Sequence, residues 1–194
     1  MKTPIAISAI AGAVALFLGG CKSYDVSLTY SPPPAGKAVK RGPKLVEVGR
    51  VSDLRDVRGR EIGAIRNEVG IPIKRLYAKR PIAQITHNAF GYALDIRGML
   101  AKKSAKYVLS ADILELWCHQ YATQDAGCRM RVTVTRKSDN RPVFTREYQA
   151  KRSYPTASVT YWSRVEEVAA VTSEALQAVV DTVIDDPQYR RALR

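Results

Sequence analysis

Histidine is almost missing from this chain: His87 and His119 are the only two in 194 residues. That leaves little material for a proton relay or a histidine-rich metal site. No G-x-S-x-G, P-loop or HExxH pattern occurs, and no internal repeat is visible. His87 stands between Thr86 and Asn88 on an expected helix, as a surface residue would. Asp185-Asp186 precedes a proline, where a helix stop explains it better than a metal site does. The expectation is therefore a chain with no catalytic residue, no metal and no cofactor. Acidic residues are also scarce, 18 against 31 Lys and Arg, which leaves a formal charge of +13 and a pI near 9.9. A surface this basic attracts nucleic acid, anionic lipid or acidic polymers, and composition alone does not choose among them.

Compartment does choose. Met1 and Lys2 precede a mostly apolar stretch from Ile5 to Leu18, followed by Gly19 and Gly20. The apolar run is shorter than the ~20 residues a spanning helix needs and has the grammar of a secretory signal. Leu18-Gly19-Gly20-Cys21 resembles the lipobox of bacterial lipoproteins. By that resemblance residues 1–20 are removed and Cys21 carries a diacylglyceryl thioether, a covalent lipid that anchors the chain. Export then moves the basic surface away from nucleic acid and towards peptidoglycan, anionic lipid or an acidic protein.

Lipidation of Cys21 leaves Cys118 and Cys128, an even pair in an oxidising compartment. They bound WCHQYATQDAGC, which reads as two strands joined by a polar loop ending at Gly127. If the two cysteines face each other across that hairpin, a disulfide is within reach. A metal cluster of Cys118, His119 and Cys128 lacks the Cys-x2-Cys spacing of zinc sites.

From Cys21 to Lys44 the chain holds three consecutive prolines and the basic residues Lys37, Lys40, Arg41 and Lys44. This composition favours a solvated tether, with DVSLTY as an alternative short edge strand. Residues 45–194 then form a single expected domain. LVEVGRVSDLR reads as a strand, REIGAIRN as a short extended piece, and IPIKRLYAKR as an extended connector. Pro81 opens a helix with a stripe at Ile85, Ala89, Tyr92, Ile96 and Met99. KYVLSADILELWC, CRMRVTVTR and VFTREYQAKRSY follow as a three-strand meander. Ser163 and Glu166 match a capping box that starts a second helix, striped by Val165, Val168, Thr172, Leu176, Val179 and Val183. Pro187 closes it, leaving QYRRALR as a basic tail.

The expected fold is α+β: an antiparallel-rich sheet of about four strands, order β-α-β-β-β-α, with both helices on one face. LGGC, LVEVGRVSDLR, RPIAQITHNAFGYALDIRGM, YVLSADILEL and DDPQYRRAL in this order resemble the YajG-like family of small Gram-negative envelope lipoproteins, and more loosely the auxiliary lipoproteins of envelope ABC transporters. The resemblance implies a compact lipid-anchored domain and supplies no catalytic residue. Lys22, following the lipidated cysteine where Asp would argue for inner-membrane retention, points by similarity to the periplasmic face of the outer membrane.

Two functions remain. The first is a non-catalytic module docking on an envelope protein complex, with Arg129 and Arg131 on the polar face of their strand as contacts. The second is direct binding of peptidoglycan or anionic lipid through Lys74, Arg75, Lys79 and Arg80.

Overall fold

A computed structural model describes residues 22–33, 39–57, 59–156 and 164–194. The expected signal, Cys21 and Ser163 lie outside the described residues. Seven strands form one mixed sheet: β1 (Lys22–Val26), β2 (Val46–Asp53), β3 (Glu61–Arg66), β4 (Pro72–Ala78), β5 (Tyr107–Gln120), β6 (Thr123–Arg136) and β7 (Arg141–Pro155). Helices α1 (Ile82–Ile96), α2 (Val165–Asp185) and α3 (Pro187–Ala192) complete the fold.

The central strand β5 is 14 residues long, and its burial alternates along most of its length. On one side β6 pairs with it antiparallel throughout and β7 extends the meander. On the other side two strands share its edge end to end, both parallel: β2 along its first half and β3 along its second. Beyond β3 come β4, antiparallel, and β1, parallel to β4.

This overturns the expected four-strand antiparallel sheet, although the α+β class stands. The meander was visible because its strands are neighbours in sequence. The parallel pairings join segments 50 or more residues apart and leave no local signature. IPIKRLYAKR, expected as a connector, supplies β4; its alternation was obscured by Lys74 and Arg75.

The break between β2 and β3 is filled by Arg55, whose side chain is 3% exposed. Its guanidinium donates to the carbonyls of Gly59, Glu61 and Leu116 and grips Asp53 with two bonds of 2.8 and 2.9 Å. It thus satisfies carbonyls that a continuous strand would have paired.

Helices α1 and α2 touch each other on one sheet face, α1 over β2 and α2 across β5 to β7. All six expected stripe residues of α2 are buried. The α1 stripe is rotated from expectation: Ile82, Ile85, Ala89, Phe90, Ala93 and Leu94 face inward, whereas Tyr92 is exposed.

The tail after Pro187 is not loose. Asp186 caps α3 by accepting from the Gln188 N–H at 2.7 Å, and Pro187 occupies the first turn, where it lacks nothing. Tyr189 is fully buried, edge-on to Phe144. Burial pushes the Asp186 carboxyl up, but bonds from the Tyr148 hydroxyl (2.6 Å) and the Gln188 N–H, with the charge of Arg146, outweigh it and hold the group below its ordinary value. A carboxyl depressed on folding adds stability above its unfolded pKa and loses it as pH falls through the folded one. Stability should therefore fall as pH drops below the ordinary carboxylate range. Thermal melts of Asp186→Asn should show lower stability at neutral pH and a shallower acid decline; an unchanged pH profile would count against this cap.

Residues 22–31 of the expected tether are packed rather than solvated, and Lys37 lies outside the described residues. Beyond β1, Leu28 is buried, the Thr29 N–H donates to Ser173 Oγ, and Gln177 bonds both the N–H and carbonyl of Ser31. The Tyr30 hydroxyl donates to Asp181. Ser173, Gln177 and Asp181 are successive turns of α2, so residues 27–31 run along the helix as a strap. The edge-strand alternative for DVSLTY is thus realised for its first residues. Composition misled because Ser, Thr and Tyr in this segment find side-chain partners 144 to 151 residues away.

Candidate functional site

The strand directions give the molecule two ends. At the entry end lie the start of β1, the turn 67–71 between β3 and β4, the turn at 121–122 and the last residues of β7. At the distal end lie the starts of β2 and β5, the turn after β6, the close of α2, and α3.

Arg129 and Arg131 do lie on the open sheet face. Arg129 bonds Glu115 at 2.7 Å and approaches Glu147 at 3.6 Å, and Arg131 bonds Glu147 at 2.7 Å. Cross-strand pairing places each acid opposite or beside its arginine. The row is charge-matched, so an acidic partner would have to displace these carboxylates.

The second expected group is divided. Lys74 lies over the Tyr24 ring, 5.8 Å from its centroid, while Arg75, next along the strand, bonds Glu61 at 2.8 Å on the opposite face. Lys79 and Arg80 line a groove of about 540 Å³ with residues 27–30, Ile85, Asn88, Ala89 and Tyr92. Alternation along β4 separates Lys74 from Arg75, and Lys79 and Arg80 lie beyond the end of that strand.

The two cysteines are free and buried. They share the helix-side face but do not oppose each other: Cys118 pairs with Ala126, and Cys128 with Leu116. The connecting turn is only Tyr121 and Ala122, so the expected loop's second half is strand and the register moves by two residues. At that diagonal the Cα atoms are ~7–8 Å apart, too far for an unstrained bridge. This corrects the expected disulfide. Burial pushes the Cys118 thiol up to about 11 and the Cys128 thiol up to about 12. Both should ignore a maleimide in the native protein and react together on unfolding, as intact-mass spectrometry would read; thiols that react after unfolding only once a reductant is added would show the register to be wrong.

On the open face, Trp117 lies against Gly127, where any Cβ would come within 2.6 Å of the indole. His119 stacks on it at 5.1 Å, and its Nε2 is 3.2 Å from Asp125. Burial raises the Asp125 carboxyl, but bonds from Ser153 and Thr123 and the nearby His119 hold it below the usual range. His87 is exposed on α1, as expected. Among the described residues no group of three His, Cys, Asp or Glu side chains is placed to hold a metal ion.

Sequence reasoning missed the distal end. Lys40, Arg41, Lys44, Lys102, Lys103 and Lys106 are all exposed there. The Gly42 N–H donates to the Arg97 carbonyl and Ala101 to Val46, which draws the 39–45 and 98–106 loops together. Arg190 donates to the Lys40 and Arg41 carbonyls and fixes that loop against α3. Arg41, Lys44 and Lys102 share one pocket with Asp95. The only sequence signal was excess charge, split between segments some 60 residues apart.

No family model matches the chain, and no curated protein matches it. Solved structures do. A Xanthomonas campestris protein of the DUF330 family superposes with a TM-score of 0.59 at 18% identity, over 84% of this chain and 92% of that one. A second, uncharacterised protein gives 0.51 at 10%, over 84% and 97%. These likenesses show the fold. A Neisseria meningitidis lipoprotein stands much further off, with a TM-score of 0.31 at 10% identity over 74% of this chain and all of that one. None of the three identifies a YajG-like chain.

Proposed function

We propose that this chain is a bacterial lipoprotein anchored through Cys21, on the periplasmic face of the outer membrane, acting as a non-catalytic interaction module of an envelope protein complex. The observation that supports it best is the integration of Lys22: the residue bonded to Cys21 is already the first residue of β1, in register with Lys74. An anchor there holds the body of the domain directly at a membrane, where a long tether would let it roam. The basic distal end then faces away from the anchor and is the surface offered to an acidic protein.

The test joins fractionation to cross-linking in cells. The unaltered protein should sediment with outer membrane, and Cys21→Ser should release it or leave its signal uncleaved. Photo-cross-linkers at Lys102 and Lys103 should capture a defined protein, lost when Lys40, Lys44 and Lys106 are changed to Glu. Unchanged sedimentation of Cys21→Ser with normal processing would sink the anchor; only abundant nonspecific neighbours would sink the module.

A second reading is favoured by the same distal lysines: direct binding of peptidoglycan or another anionic polymer. It requires steep weakening with salt. Co-sedimentation with purified sacculi that persists unchanged at high salt would exclude it.

A further inference from the structure

The large apolar side chains that stand exposed among the described residues are Leu54, Val57, Val69, Ile71, Tyr92, Tyr121 and Tyr154. Scattered singly they would need no explanation. Four of the seven, Val69, Ile71, Tyr121 and Tyr154, gather at the entry end, with Val69 at 76% and Ile71 at 58% exposure.

Their support is built. Asn67 Oδ1 accepts from the N–H groups of Val69 and Ile71 at 3.2 and 2.8 Å, and Arg66 donates to the Gly70 carbonyl. The Tyr121 hydroxyl reaches across from the neighbouring turn to the Glu68 carbonyl at 2.6 Å. Two turns are thus braced on each other while their apolar side chains face outward. Lys22, Arg66 and Lys74 flank them, Lys22 and Arg66 exposed; Glu68 lies in the same turn, and further along Tyr154 donates to Glu174 near the α2 acids Glu166 and Glu167.

We propose that this end seats on the bilayer that holds the Cys21 lipid, with Val69 and Ile71 entering the boundary between headgroups and acyl chains and Tyr121 at headgroup level. The proposal rests on the anchor reading above and adds to it a fixed orientation. Lys22 pairs with Lys74, and Ile71 is three residues further towards the end, roughly 10 Å along an extended strand. That matches the ~5–10 Å depth to which apolar faces enter the interface, while tyrosine suits its polar margin. The flanking cations favour anionic headgroups. A consequence follows for the rest of the molecule: β5 has 14 residues, so the distal lysines stand roughly 45 Å from the bilayer.

The experiment uses full-length protein purified from membranes and reconstituted in phosphatidylethanolamine–phosphatidylglycerol vesicles. Val69→Cys and Lys103→Cys are labelled separately with an environment-sensitive nitrobenzoxadiazole dye; the buried thiols do not compete. Intact mass reports the lipid on Cys21 independently. With Cys21 lipidated, dye at 69 should blue-shift and brighten several-fold on reconstitution, while dye at 103 stays unchanged. Lipidated protein with no change at 69, or an equal change at 103, overturns the seating and leaves the anchor standing. Protein without lipid on Cys21 overturns the anchor, and this proposal with it.

Discussion

Gly63→Ala should cost more than about 4 kcal/mol, among the largest effects of any single methyl group in this chain. Residue 63 lies in β3 opposite Cys118, with a φ of +150°. A Cβ built there falls inside the carbonyl oxygen of Cys118, which is backbone and has no room to yield. Either β3 leaves β5 or the central strand bends. At roughly 2–4 °C per kcal/mol for a chain of this size, the melting temperature should fall by roughly 10 °C or more. Gly70→Ala is the control: its φ is +82° but nothing lies within 4 Å of the new methyl, so it should cost only the conformational ~1–2 kcal/mol. Equal losses at the two positions would mean that β3 does not press on β5.

The second large effect is expected at Arg97. Its side chain, 3% exposed, bonds Asp185 at 2.8 and 3.0 Å, Asp181 at 2.9 Å, and the Tyr30 hydroxyl and Ala93 carbonyl at 3.3 Å. One guanidinium thus joins the end of α1, two turns of α2 and the strap. Burial opposes its charge, but the bonds it donates to Asp185 and Tyr30, with the Asp185 charge, outweigh burial and raise its pKa. Tyr30 is itself pushed up to about 12, by burial first and then by its bond to Asp181. Breaking a buried pair costs ~3–5 kcal/mol, and Asp181 and Asp185, at 30% and 43% exposure, can regain water, so the lower value applies to Arg97→Ala. Lysine should not rescue it, because a point charge cannot fork between two carboxylates. Hydrogen exchange separates this clasp from a general loss: the amides of Thr29 and Ser31 should lose protection well before those of β5. Retained protection there would show that the strap is held by its own bonds to Ser173 and Gln177.

The strap and the anchor are held by different contacts. With Arg97 intact, the chain after Lys22 is held first by β4 and then along α2. With Arg97 removed, residues 27–33 loosen from α2 while β1 keeps its pairing with β4. In reconstituted vesicles the dye response at position 69 should therefore persist, because β1 carries the anchor.

Wherever the physical cause is local, the residue pattern alone specifies the element. Strict alternation from Cys128 to Val134 marks β6, and the 3.6-residue stripe from Val165 to Val183 marks α2, because each pattern records one buried face. The α+β class followed from those elements, and the expectation of lipidation follows from four consecutive residues. The remaining features arise from contacts between distant segments. Parallel pairing of β2 and β3 with β5 depends on backbone bonds between segments more than 50 residues apart. The hairpin register, and with it the fate of Cys118 and Cys128, turned on a two-residue difference in where a polar loop ends. The strap is ordered by partners some 150 residues away, which composition cannot register. The basic end is assembled from loops that carry no shared motif, since charge acts through space and its proximity is set by the fold rather than by the chain.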